Sequence, residues 1–206
     1  MINLKKYLGQ YRTELWFILF TAQCFLASFA SANDNTYLNP YPQVKMETSM
    51  GNIIVELDRN KAPITVNNFL GYVNDKAYDN SQFHRVISNF VVQGGGLSAD
   101  YKTLSEKTAI ANESGNGLKN ERGTIAMARS FYPHSATRQF YFNLTNNNQL
   151  DPSSKRWGYA VFGEIIEGIN VLQAMSEVPT GVNRQINQPD VPLKPIILKS
   201  VTLLSK

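Results

Sequence analysis

From Val44 to Leu57 the chain alternates between inward and outward positions. Val44, Met46 and Thr48 share one face before Met50-Gly51-Asn52, and Ile53, Val55 and Leu57 share one face after it. A period of two on both sides of a turn predicts a β-hairpin. The period then changes. Pro63 suits the first turn of a helix, and Val66, Phe69, Leu70 and Val73 recur at i, i+3, i+4 and i+7 before Asn74-Asp75, which predicts one buried helical stripe. Short apolar runs follow, divided by Gly, Asn and Pro: Phe83–Ile87, Val91–Gln93, Gly123–Ala128, Gln139–Leu144, Tyr159–Ile166 and Ile196–Leu204. A second helix is expected over Gly168–Met175, with Val171, Leu172 and Met175 as its apolar stripe. Many short strands, few helices and no βαβ rhythm predict a mostly β domain, either a closed antiparallel barrel or a sandwich. Closure into a barrel would hide the strand edges. No internal repeat is present, and Asn146-Asn147-Asn148 reads as a loop.

Composition adds a core and a compartment. Of 206 residues, 43% are hydrophobic and 17% charged, enough to bury one substantial core and against disorder. The net charge of +4 comes without a Lys/Arg block, so a nucleic-acid partner is not expected. Lys5, Lys6 and Arg12 precede the largely apolar run Leu15–Ala30, which ends in Ala30-Ser31-Ala32. That order predicts a signal peptide over residues 1–32, cleaved near Ala32. A polar lead-in with two prolines covers 33–43, and the domain proper covers 44–206. The alternative is an uncleaved anchor, but the run is 16 residues long and interrupted by Gln23, whereas a spanning helix needs about 20. Cleavage removes Cys24, the single cysteine. The mature chain then has no thiol, which suits a periplasmic or secreted protein and excludes cysteine nucleophiles.

Candidate chemistry is sparse, which makes it readable. The two histidines, His84 and His134, have no ligand-spaced partners, so no metal site is expected. There is no G-x-S-x-G elbow and no Walker loop. Gly94-Gly95-Gly96 follows a strand, but no helix pattern opens behind it, so it reads as a corner turn rather than a phosphate nest. What remains is Phe83-His84-Arg85-Val86-Ile87-Ser88-Asn89-Phe90-Val91-Val92-Gln93, in which Arg85, Phe90 and Gln93 fall within nine residues. A guanidinium, a ring and an amide on adjacent strands suit the gripping of an apolar ring beside a peptide bond. A lone strand arginine is ordinarily solvated or ion-paired; its neighbours set Arg85 apart.

Two further segments join this one: Gly123-Thr124-Ile125-Ala126-Met127-Ala128-Arg129 with Ser135 to Phe142, and Leu150-Asp151 with Gly158 to Gly163. In order and spacing the three resemble the blocks of the cyclophilins, the peptidyl-prolyl cis-trans isomerases, and most closely their secreted or periplasmic bacterial branch. The resemblance runs from about Val44 to the last strand. It implies a closed eight-stranded antiparallel β-barrel capped by two α-helices, no cofactor and no metal. It also implies a catalytic set of Arg85, Phe90 and Gln93, with Gln93 accepting from Arg85 and donating to a substrate carbonyl. Val91, Tyr141, Leu150 and Tyr159, with Phe90, would hold the proline ring. Ala128 and Gln139 would line the neighbouring subsite, and Arg129 would bind substrate mainly through its backbone. Substrates would be proline-containing unfolded or loop segments of exported proteins, handled by a monomer that acts as a folding catalyst. The chain departs from the family in having Val91 where Met is usual and Tyr141 where Phe is usual. Tyr159 stands where many eukaryotic members have His. Gln149 stands where cyclosporin-sensitive members carry Trp, which implies weak binding of cyclosporin A. Two other readings stay open: a proline-peptide binding module without catalysis, and an unrelated barrel with a deep apolar interior for a small ligand.

Overall fold

The computed structural model describes residues 39–205. The expected signal peptide, Cys24 within it, and residues 33–38 of the lead-in lie outside the described residues. The elements run β1 (Gln43–Thr48), β2 (Gly51–Leu57), α1 (Pro63–Asn74), β3 (Ser81–Phe83), β4 (Arg85–Ile87), β5 (Val91–Gly94), β6 (Leu97–Ser98), β7 (Thr124–Met127), β8 (Phe140–Asn143), β9 (Val161–Glu167), α2 (Ile169–Ser176), β10 (Thr180–Asn183), β11 (Gln188–Pro192) and β12 (Ile196–Leu204).

The hairpin predicted from alternation is β1–β2. Val44 faces Val55 and Met46 faces Ile53 across the ladder, all buried. The Thr48 hydroxyl donates to the Gly51 carbonyl at 2.7 Å and accepts from the Met50 amide at 3.0 Å, closing the turn. Gly51 has φ +134, and a Cβ there would stand 2.8 Å from a Val171 methyl, so glycine is required. Helix α1 buries the predicted Val66, Phe69, Leu70 and Val73, together with Thr65 and Tyr72. Its first turn is capped from a distance. The Glu113 carboxylate accepts from the Ile64 amide at 3.1 Å, and from the Thr65 amide and hydroxyl at 2.7 Å each, which satisfies otherwise orphaned donors.

Every ladder among the described strands is antiparallel. Ten strands form one sheet in the order β4-β5-β8-β7-β9-β2-β1-β12-β3-β6, and β10–β11 form a separate pair. The expected closed eight-stranded barrel is therefore corrected to a curled ten-stranded sheet with two ends. The physical reason lies at His84. The run Phe83–Ile87, expected as one strand, bends there: β3 pairs with β12, while β4 pairs with β5 at the opposite end of the order. One residue of chain thus separates two strands at or next to opposite ends of the sheet, and among the described residues no ladder joins them. Among the described residues two α-helices are present, as expected; Leu172 and Met175 of α2 and the buried face of α1 enter the same core.

That core fills the inner face. Phe69, Tyr72, Tyr78, Phe83, Phe140, Phe142 and Phe162 are all 1% exposed or less, and their rings meet edge-on or tilted, as at Tyr78–Phe140 (5.5 Å, 85°), the arrangement the ring quadrupole favours. A packed interior of this kind does not suit the small-ligand barrel. Arg138 is buried among these rings at 1% exposure. Its Nε donates to the Gly95 carbonyl at 2.6 Å, Nη1 to that of Ser105 at 2.7 Å, and Nη2 to that of Ala77. The Tyr78 hydroxyl donates to the Arg138 carbonyl at 2.8 Å. Burial lowers the pKa of this guanidinium and raises that of Tyr78 well above its ordinary value.

His84, at the bend, is 3% exposed, and its Nδ1 has no hydrogen-bond partner among the described residues. Burial, aided by the neighbouring Arg85 charge, lowers its pKa to about 4. An unfolded imidazole takes its proton near pH 6.5. Between these values the unfolded chain binds more protons, so the contribution of His84 is complete above about pH 6.5 and is lost as pH falls to about 4. The loss amounts to about 3 kcal/mol. Denaturant unfolding at pH 7 and pH 4 checks this: the drop in stability should be smaller by about that amount in His84→Gln.

Candidate active site

Arg85 and Gln93 are direct cross-strand partners in the β4–β5 ladder. Their neighbour Val86 turns into the core at 2% exposure, so the alternation sends Arg85 outward, with its side chain 37% exposed. Arg85 Nη1 donates to Gln93 Oε1 at 3.5 Å, and Gln93 Nε2 donates to Gln139 Oε1 at 3.0 Å. Gln139 lies against Gly96, where a Cβ would fall 2.5 Å from its side chain. The glycine run is thus a close-approach surface for an amide as well as a turn. Gln139 thus orients Gln93, and the series reaches the guanidinium through one long hydrogen bond.

Beside this polar row sits a second apolar cluster, separate from the main core. Val91, Ala126, Tyr141 and Val161 are buried in it, with Phe90, Leu118, Ala128, Leu150 and Tyr159 partly buried against them. Six of these nine are the residues expected from the sequence; the other three are Ala126 and Val161, apolar strand residues that carry no mark of which face they serve, and Leu118, which reaches the cluster from the loop before β7. Tyr141 and Tyr159 meet at 5.9 Å and 75°.

The Tyr141 hydroxyl has a partner. It donates to Asn120 Oδ1 at 2.7 Å, and burial raises its pKa well above the ordinary phenol value. Asn120 in turn donates from its amide nitrogen and from Nδ2 to Asp151 Oδ1 at 2.8 and 3.0 Å. Asn143 Nδ2 donates to Asn120 Oδ1 at 3.2 Å, and Asn147 Nδ2 donates to Asn143 Oδ1 at 2.8 Å and to the Phe90 carbonyl at 2.9 Å. A buried polar network therefore backs the cluster and holds Phe90 and Tyr141 from behind. Asn147, within the tract read as a loop, does lie beyond β8, but it is 1% exposed and structural.

The Arg129 side chain donates to the carbonyls of Gly158 (3.2 Å), Ser130 (2.9 Å), Phe131 (3.3 Å) and Trp157 (3.0 Å). Its guanidinium lies 4.5 Å from the Tyr159 ring centre, so it clamps the 157–159 segment onto the cluster. Gln149 is exposed in a 3-10 turn, Asn148–Leu150, and its Nε2 donates to Asn147 Oδ1 at 3.2 Å. A separate groove, lined by Tyr41, Glu56, Asp58 and Lys119 among others, touches Leu118 and Val161 but none of Arg85, Gln93 and Gln139.

Arg85 faces outward on the same sheet that carries the apolar cluster, over a packed interior, an arrangement that suits the class of proteins that hold an extended chain better than those that enclose a small ligand. Comparison with known proteins narrows that class. The family model described as "Cyclophilin type peptidyl-prolyl cis-trans isomerase/CLD" matches residues 43–202. Peptidyl-prolyl cis-trans isomerase cyp18 of Streptomyces antibioticus is 46% identical over 164 residues, which is 78% of this chain and 98% of the relative. A peptidyl-prolyl cis-trans isomerase of Acinetobacter baylyi is 45% identical over 162 residues, 79% of this chain and 85% of the relative. Among solved structures, a Cryptosporidium parvum cyclophilin type peptidyl-prolyl cis-trans isomerase, crystallised in the presence of the dipeptide Ala-Pro, superposes with a TM-score of 0.65 at 25% identity, over 80% of this chain and 99% of that one. The chain belongs to the cyclophilin-type peptidyl-prolyl cis-trans isomerases.

Proposed function

We propose that the isomerase works by electrostatic stabilisation of a twisted amide, with Arg85 as the catalytic group. A peptide C–N bond resists rotation by about 18–20 kcal/mol through its double-bond character, and X-Pro exchange takes roughly tens to hundreds of seconds. At the twisted transition state resonance is lost and the proline nitrogen regains a lone pair. A guanidinium N–H aimed at that nitrogen helps the twisted state more than either planar state, which is what catalysis requires. Arginine stays charged and donates from a fixed fork, so no proton transfer is needed. A ten-thousandfold acceleration corresponds to about 5.4 kcal/mol. A charged hydrogen bond of about 1.5–3 kcal/mol, with the substrate anchored in place, supplies a large part of it.

The observation that carries this reading is the linked row Arg85–Gln93–Gln139, with Arg85 half-exposed on the outer face of the sheet. Phe90, Val91, Tyr141, Leu150 and Tyr159 form the wall for the proline ring, and Ala128 and Gln139 receive the residue before it. Gln93 donates to a substrate carbonyl while accepting from Arg85. Arg129 acts through its backbone on the substrate and through its side chain on Tyr159. The substrates are exposed X-Pro segments of unfolded or loop-rich exported proteins. The relative crystallised with Ala-Pro supports a proline-containing ligand. The N-terminal pattern of Lys5 to Ala32 supports export to the periplasm or beyond, and the protein works there as a monomer.

The test is a proline-tetrapeptide isomerase assay with a cyclosporin A titration. Activity is expected with weak inhibition, because Gln149 offers an exposed amide where a tryptophan would bury an aromatic face. Gln149→Trp should tighten inhibition by about tenfold or more, the scale of an added aromatic anchor. Strong inhibition of the unaltered protein at low concentration contradicts the role given to Gln149.

A further inference from the structure

We propose that Asp190 is a positioning residue for Arg85, holding the Nε side of the guanidinium while Gln93 holds the Nη1 side. This rests on the reading of Arg85 as the catalytic group. The hydrogen bond from Arg85 to Gln93 is long, 3.5 Å, and one long bond does not fix a side chain with many rotamers. Asp190 Oδ2 stands 3.9 Å from Arg85 Nε, and both side chains are a little over one-third exposed. The two contacts fall on different nitrogens, so together they set the plane of the guanidinium and leave its other N–H groups for the substrate.

The backbone is shaped to deliver this carboxylate. In the β10–β11 ladder Gly181 faces Val191 and Asn183 faces Gln188. Val182 is therefore opposed by two residues, Pro189 and Asp190, which is a β-bulge. Asp190 has φ +61 inside the strand, a conformation that aspartate and asparagine tolerate better than other side chains. Bulges re-aim side chains and recur beside active sites, and a left-handed non-glycine residue at such a place points to function. Strand β11 packs beside β4, the terminal strand of the sheet, so the bulge turns Asp190 towards Arg85. The hairpin is pinned on both sides. Val191 is 3% exposed, Gln185 Nε2 donates to the Asp100 carbonyl at 3.1 Å, and the Leu193 amide donates to the Pro179 carbonyl at 2.9 Å.

The test is Asp190→Asn, which keeps the shape and the backbone tolerance and removes the charge. At low salt kcat/KM for a proline tetrapeptide should fall by about two- to fivefold, the scale of a partly exposed charge pair. The loss should appear in kcat with KM unchanged, because the pair orients a group that acts in the transition state. It should shrink towards nothing near 1 M salt, where the Debye length is about 3 Å. In an Arg85→Ala background Asp190→Asn should change nothing further. A gain in activity, a loss that is equal at low and high salt, or the same loss in the Arg85→Ala background overturns the proposal. So does full activity in Asp190→Asn while Arg85→Ala is impaired. If Arg85→Ala itself keeps full activity, the assignment of Arg85 fails and takes this inference with it.

Discussion

Replacing Arg85 by alanine is expected to lower kcat/KM for a proline tetrapeptide by about a hundredfold to a thousandfold, the cost of deleting one preorganised donor aimed at the transition state. The same change should leave the fold almost untouched. Arg85 points away from the core and is 37% exposed in its side chain, and surface substitutions usually move stability by about 0.5 kcal/mol or less. A large loss of rate beside a small change in unfolding midpoint is the signature of a group that acts on substrate. Arg85→Lys should recover only part of the rate, because an ammonium keeps the charge but loses the planar fork that bonds Gln93 and faces Asp190.

Arg138→Met reverses this pattern. It should lower folding stability by about 2–3 kcal/mol, because the carbonyl of buried Gly95 is left without its donor, which costs about 1–3 kcal/mol, and the more accessible carbonyls of Ser105 and Ala77 lose theirs at a smaller cost each. Relief of the desolvated charge offsets part of the sum. Methionine keeps most of the volume between Tyr72 and Tyr78, so packing loss is kept small. Equilibrium unfolding in urea reads the effect directly. A secondary loss of activity is also expected, since Arg138 ties down Gly95, next to the Gly96 surface that supports Gln139. A stability change under about 1 kcal/mol contradicts the role assigned to Arg138.

The two arginines show what a sequence exposes and what it hides. Arg85 was legible because its partners are local: Gln93 lies eight positions on, in the adjacent strand of one short motif. Arg138 stands directly before Gln139 yet was passed over, because its acceptors come from Ala77, Gly95 and Ser105, more than thirty residues away in each case. Asn120 escaped notice for the same reason; it meets Asp151 and Tyr141 only once the sheet has curled. Strands whose inward face alternates cleanly, such as β1 and β2, were read at close to their true limits, as was the helix stripe of α1. The bend at His84 was not, since the residues on either side of it, Phe83 and Arg85, take partners in different strands, a tertiary outcome that the local sequence does not mark. The β10–β11 hairpin was missed because Thr180–Pro192 carries prolines and exposed residues where alternation would be sought, with Val182 71% exposed.

Catalysis through Arg85, as proposed above, means that this surface rotates a prolyl bond and does more than bind it. Exchange NMR on an X-Pro peptide at equilibrium separates the two, since it reports binding and cis/trans interconversion in one sample. At catalytic concentrations the unaltered protein is expected to broaden and exchange the cis and trans signals. Arg85→Ala is expected still to shift the peptide signals on binding while the exchange between them returns close to the uncatalysed rate. Rapid exchange persisting in Arg85→Ala, or binding without exchange in the unaltered protein, would contradict catalysis through Arg85.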